Sequence, residues 1–198
     1  MKTQALTLTE VLIPGRTATR DLGLLGVGVG ITALAAQITI PLPFTPVPIT
    51  GQTFAVLLCG AALGSRRGAL AQLAYLGLGY GGIPVFAGWS GGPALGPSGG
   101  YLLGFVAAAY VIGLLVERAW DRRVRTSLLA MLAGNAVIYA FGLPWLAVFT
   151  GGPVSKVLLL GLYPFIPGDL IKIALVSMVL PSAWSLISRC GGRGVRCG

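Results

Sequence analysis

Long stretches of this chain carry no charge at all, and its few charged residues are bunched between them. The run Leu22–Ile40 is uncharged from end to end. A helix needs about 20 predominantly apolar residues to cross the hydrocarbon core of a bilayer. Lipid offers no water to an unpaired backbone group, so such a run crosses as a helix if it crosses at all. Comparable runs follow at Gly51–Gly64, Gly68–Gly82, Gly99–Val116, Ser127–Phe149 and Asp169–Ile187. The expectation is an all-α integral membrane protein, a six-helix bundle in one transmembrane domain over residues 1–198. The second and third runs are short, and a re-entrant hairpin gives the same hydropathy. Composition agrees with a lipid-facing surface. Only 10% of the 198 residues are charged and 55% are hydrophobic, whereas a soluble domain has about a quarter of its residues charged. The mean hydropathy is +0.86, and the 31 glycines suit close helix packing in lipid.

Charge placement tests the span count independently. Basic residues concentrate on the cytoplasmic side of membrane proteins. Lys2, Arg16 and Arg20 precede the first run, Arg66 and Arg67 split the second from the third, and Arg118, Arg122, Arg123 and Arg125 split the fourth from the fifth. Arg189, Arg193 and Arg196 follow the sixth, while the alternate connections hold only Lys156. Twelve basic residues therefore fall on one side and one on the other, with Lys172 inside the last run. This alternation predicts a multi-pass protein of the cell (inner, cytoplasmic) membrane with both termini cytoplasmic. Arg16 and Arg20 ahead of an apolar run that contains Ala33-Leu34-Ala35 also resemble a cleaved leader. The run continues to Ile40, which favours a retained helix. A net charge of +9 would suit nucleic acid, but the arginines sit in clusters between apolar runs and line no single face, so no nucleic-acid partner is expected.

The connections on the uncharged side are unusual. The first, Pro41–Thr50, holds four prolines, and the third, Ile83–Gly100, mixes Phe86 and Trp89 with glycines. The fifth ends in Tyr163–Asp169. They suit either a small-molecule pocket or an interfacial aromatic belt. Asp169 and Lys172 open an otherwise apolar run and lie on one helix face. Charges in a span are expensive and mark function by default. A plainer alternative is an N-terminal cap, with Lys172 merely pairing with it. On the first run Gly28, Thr32 and Ala36 form a small-residue stripe, suited to a partner helix or to packing within the bundle.

Catalytic readings fail on composition. Gly88-Trp89-Ser90-Gly91 matches the GxSG pattern of intramembrane serine proteases, but the chain has no histidine to take the serine's proton. With no histidine and three cysteines a metal site is not expected, and no cofactor is expected. No phosphate-binding loop surrounds Lys156, so the chain has no ATP site of its own. A binding subunit energised by partners fits better than an enzyme. A stand-alone secondary carrier for a vitamin or small organic anion is the alternative, weakened by the scarcity of acidic residues in the spans.

Three segments carry a resemblance: ITALAAQITIPLPFTPVPITGQTF (Ile31–Phe54), GYLLGF (Gly100–Phe105) and PFIPGDLIK (Pro164–Lys172). In sequence and order they resemble BioY proteins, the biotin-binding S components of energy-coupling-factor (ECF) importers, and the likeness runs from about Leu22 to Ile187. The resemblance implies the six-helix S-component fold, a biotin pocket near the outer face capped by the loop after the first helix, and toppling of the subunit to release substrate. It implies as partners a transmembrane coupling subunit and two cytoplasmic ATPase subunits. Asp169 would accept from the ureido N–H groups, and Lys172 would pair with the valerate carboxylate or orient Asp169. A ligand of biotin's chemistry wants mostly apolar walls with a few placed polar groups, which Gln52, Tyr101, Phe44, Phe86 and Trp89 could supply by residue type. The stripe Gly28, Thr32 and Ala36 matches the contact with the coupling subunit that the resemblance implies. No role is argued for Cys190–Gly198.

Overall fold

In a computed structural model of the protein, residues 5–15, 17–92 and 96–191 are described. Lys2, Arg16, Arg193, Arg196 and Cys197 lie outside the described residues, as do residues 93–95 of the third connection and the side chain of Cys190. The order is α1 (Leu8–Leu12), α2 (Ala18–Gln37), a ribbon of β1 (Thr39–Ile40) and β2 (Ile49–Thr50), α3 (Gln52–Leu63), α4 (Ser65–Tyr80) and α5 (Gly99–Val116). A 3-10 turn (Trp120–Arg122), α6 (Val124–Thr150), α7 (Val154–Gly161) and α8 (Ile166–Gly191) complete it.

The fold is all-α, and α2, α3, α4, α5, α6 and α8 form the bundle. Four of these, α2, α5, α6 and α8, are long and apolar enough to cross a membrane. With 12 and 16 residues, α3 and α4 reach only about 18 and 24 Å at 1.5 Å per residue. Helix boundaries follow local chemistry. The Thr17 hydroxyl accepts from the Arg20 N–H at 3.3 Å, which starts α2 ahead of the apolar run. Its end comes at Gln37 because Thr39 and Ile40 pair antiparallel with Thr50 and Ile49. The fifth connection contains a helix, α7, that periodicity over so short a segment does not reveal.

Helix α5 is central, packed against α3, α4 and α6, while α8 lies on α6 and α3, and α2 on α4 and α3. Glycine makes the closest approaches possible. A Cβ on Gly113 of α5 would lie 2.1 Å from the Ser65 nitrogen, so the α3–α4 turn rests directly on α5 there. The core has two main parts. One half gathers Val56, Tyr75, Tyr101, Phe105 and Ile138; the other gathers Leu57, Ile112, Met131, Ile173 and Leu180. Exposed Leu22, Leu34, Leu73, Leu129, Leu175 and Met178 give the outside the apolar surface that lipid requires.

Four of the five acidic residues sit among the arginines at one end of the bundle. Arg67 reaches Glu10 at 3.4 Å and Asp21 at 3.0 Å, and Glu117 accepts from the Ser65 amide at 2.8 Å and its hydroxyl at 2.7 Å. Asp121 is fully buried and accepts from the Trp184 indole, over which the Arg122 guanidinium stacks at 3.2 Å. Burial pushes the Asp121 carboxyl above its ordinary value, against the opposing pull of Trp184 and Arg122. Arg122 also donates to the Leu6 carbonyl at 3.0 Å, tying the N-terminal segment to this joint. The fifth acid, Asp169, is left alone near the other end.

The small-residue stripe needs correction as a partner surface. Gly28, Thr32 and Ala36 are all buried inside this chain. A Cβ on Gly28 would lie 2.9 Å from that of Ala71, and Thr32 accepts from the Gln72 amide at 3.0 Å. Nearly every face of α2 is apolar, so sequence spacing does not tell which one turns inward.

Candidate functional site

A cavity of about 270 Å³ lies at the end of the bundle away from the arginine clusters. This is near the lower limit of the ~300–1,000 Å³ usual for small-molecule sites. Apolar walls come from Val47, Phe86, Leu102, Phe105, Ile138 and Phe165. Two of the three connections at this end are fastened over it. The Thr45 hydroxyl donates to the Leu160 carbonyl at 2.7 Å, fixing the Pro-rich loop to α7. The Gln37 amide donates to the Phe86 carbonyl at 3.1 Å and its oxygen accepts from the Trp89 N–H at 3.0 Å, fixing the loop after α4.

The polar end is built on α8. Its first turn begins at Ile166, so Asp169 lies inside the helix instead of capping it. Its side chain reaches across to α6, accepting from the Tyr139 hydroxyl at 2.5 Å and the Asn135 amide at 3.2 Å on Oδ2. On Oδ1 it accepts from Lys172 at 3.3 Å and from the Thr53 hydroxyl at 3.5 Å. The Lys172 Nζ donates as well to the Thr50 carbonyl and to Thr53 Oγ1, both at 2.8 Å. Lys172 therefore joins three elements: α8, the start of α3, and the ribbon that borders the cavity. Asp169 is 5% exposed, and a buried carboxylate persists as an ion only when paired and hydrogen-bonded.

Gln52, Tyr101 and Phe86 also line the cavity. Gln52 donates to the Tyr75 hydroxyl at 2.7 Å and accepts from Thr50 at 2.9 Å, while Tyr75 donates to the Val85 carbonyl at 3.1 Å. This chain of bonds joins ribbon, α3, α4 and loop. The Tyr101 hydroxyl donates to the Gly161 carbonyl at 2.9 Å, so its ring is what meets the cavity. The Phe86 ring sits on Gly79 and meets Tyr75 and Tyr80 edge-on at 5.4 and 5.3 Å.

Phe44 and Trp89 do not line the cavity, and both are corrected as pocket residues. Phe44 is 58% and Trp89 67% exposed. Phe44 lies in the turn that the Thr45 N–H closes on the Leu42 carbonyl at 3.4 Å, and it faces out while Thr45 and Val47 are buried. Trp89 occupies the tip of a tight turn with φ of 55°, and the same turn points its ring away. Sequence reading missed Asn135, Tyr139 and Thr53. Asn135, the only asparagine in the chain, stands in an apolar span and was open to detection on that ground. Among the described residues no group of His, Cys, Asp or Glu could hold a metal ion. The arrangement suits a small molecule with a polar end; among the described residues it holds no activated nucleophile.

The sequence model of the BioY family matches residues 2–189. This chain belongs to the BioY family. Its sequence is 42% identical over 157 residues to a probable biotin transporter BioY of Pyrococcus horikoshii, covering 78% of this chain and 90% of that one. It is 40% identical over 172 residues to a biotin transporter BioY of Rhizobium etli, covering 82% and 91%. The crystal structure of the S component for biotin from an ECF-type ABC transporter superposes with a TM-score of 0.72 at 29% identity, covering 91% of this chain and 96% of that one. The six-helix S-component fold, the membrane location and membership of a transporter family rather than an enzyme family follow from these likenesses.

Proposed function

We propose that this chain captures biotin as the S component of an ECF-type importer, with transport energised by partner ATPases. The observation that carries the reading is the cavity with its single charged pair, Asp169 and Lys172, at the polar end of otherwise apolar walls. Biotin is an apolar ring system with a ureido edge and an anionic tail, and such a ligand suits mostly apolar walls with a few placed polar groups. A titration of detergent-purified protein with biotin tests it: saturable binding near one equivalent is expected, and no binding overturns it.

The same reading supplies a topology of six spans, with α3 and α4 as the short pair and both termini cytoplasmic. The arginine end then faces the cytoplasm and the cavity opens outward. Partners are a transmembrane coupling subunit and two ATPase subunits. The exposed face of α2 carries Gly23, Gly26 and Gly30, where an added Cβ would meet nothing within 4 Å, and such a face admits a partner helix closely. Uptake in cells lacking any coupling subunit should be absent.

The Phe86 wall gives a further expected result. A Cβ at position 79 would lie 2.1 Å from the end of the Phe86 ring. Gly79→Ala displaces that ring into or off the cavity, and biotin affinity should fall about tenfold, the range of a local overpacking cost of 1–3 kcal/mol. Unchanged affinity would mean that Phe86 is no part of the site.

A further inference from the structure

We infer that Tyr139 is a ligand-contact residue whose hydroxyl offers the cavity only lone pairs, so that the polar end reads an N–H donor; this rests on the biotin reading above. A phenol has one proton to donate. Tyr139 gives it to Asp169 Oδ2 at 2.5 Å, and an ionised carboxylate can only accept. The phenol oxygen keeps its lone pairs, and Tyr139 lines the cavity. The Tyr101 ring stands against it edge-on at 6.2 Å and 83°, which holds its orientation.

The neighbouring donors are committed in the same direction. An ammonium has three N–H groups, and those of Lys172 lie toward the Thr50 carbonyl, Thr53 Oγ1 and Asp169 Oδ1. Thr53 accepts from Lys172 and so has its own proton for Asp169 Oδ1. Tyr139 and Thr53, which flank Asp169, thus keep lone pairs for a ligand, while Lys172 has its N–H groups committed to the protein. An N–H edge such as that of a urea is complementary to this surface. A ligand carboxylate brings only acceptors and is mismatched to it, so Lys172 serves the protein and the anionic tail lies away from α8.

The test is a double cycle that pairs Tyr139→Phe with the two mono-N-methylated biotins. Tyr139→Phe should weaken biotin by about tenfold, the effect of one hydrogen bond in a dry site. For one of the two methylated ligands, which has lost the N–H that Tyr139 reads, wild type and variant should bind within about twofold of each other. Equal loss for biotin and both analogues would overturn the inference, since Tyr139 would then act only by holding Asp169. No loss for biotin would overturn it as well. A wild-type chain that binds no biotin fails before any substitution is made; it overturns the functional reading and this inference with it.

Discussion

Asp169→Asn should lower biotin affinity by about a hundredfold, with saturable binding lost at concentrations that fill the wild-type site. The substitution keeps shape and removes charge. It replaces an acceptor that four side chains address with a group that is half donor, so whichever way the amide turns its NH2 meets donors, either Lys172 and Thr53 or Tyr139 and Asn135. Hydrogen bonds to charged groups are worth about 1.5–3 kcal/mol each, and a factor of ten needs about 1.4 kcal/mol. Removing one partner from a buried ion pair also destabilises the protein by about 3–5 kcal/mol, so the melting temperature in detergent should fall. Calorimetric titration reads the first effect and a thermal melt without ligand the second. Wild-type affinity in this variant would remove Asp169 from the site.

Gly113→Ala should produce the largest loss of stability of any single methyl added to the bundle's inner faces. The new Cβ would lie 2.1 Å from the Ser65 nitrogen, 2.3 Å from its Cα and 2.4 Å from the Gly64 carbonyl carbon. All three are backbone atoms, and Gly64 takes φ of 83° in that turn, so no side chain can swing aside to relieve the overlap. Overpacking a well-packed core costs about 1–3 kcal/mol, and the Glu117 bonds to Ser65 would be strained in addition. Gly77→Ala is the matched control, because its Cβ would meet nothing within 4 Å and alanine is the better helix former. Equal melts for the two variants would refute the close contact.

Much of the fold was legible because lipid imposes a simple rule: apolar runs become helices and arginines mark one side. Asp169 and Lys172 could be paired from the sequence because they share one turn of one helix. Tyr139, Asn135 and Thr53 could not be placed beside them, because that depends on how α3, α6 and α8 meet. The stripe of Gly28, Thr32 and Ala36 was visible as a stripe, but an inward and an outward face of α2 have the same composition. Phe44 and Trp89 were placed in the pocket by residue type, while their direction depends on turns held by Thr45 and Gln37 from a distance.

The shortness of α4 has a consequence for the surrounding lipid. In the proposed topology Arg66 and Arg67 hold its start at the cytoplasmic headgroups, and Leu70, Leu73 and Leu78 face the acyl chains. Its 16 residues rise about 24 Å, against a hydrocarbon core of about 30 Å. Hydrophobic mismatch of this size is met by bilayer thinning or by tilt, at fractions of a kcal/mol per Å. Where thinning meets it, the outer leaflet in that topology would be pinched beside the loop that carries Phe86 and Ser90, and water would reach deeper there than around α2. In the proposed topology a water-borne ligand would meet the cavity mouth at that dip.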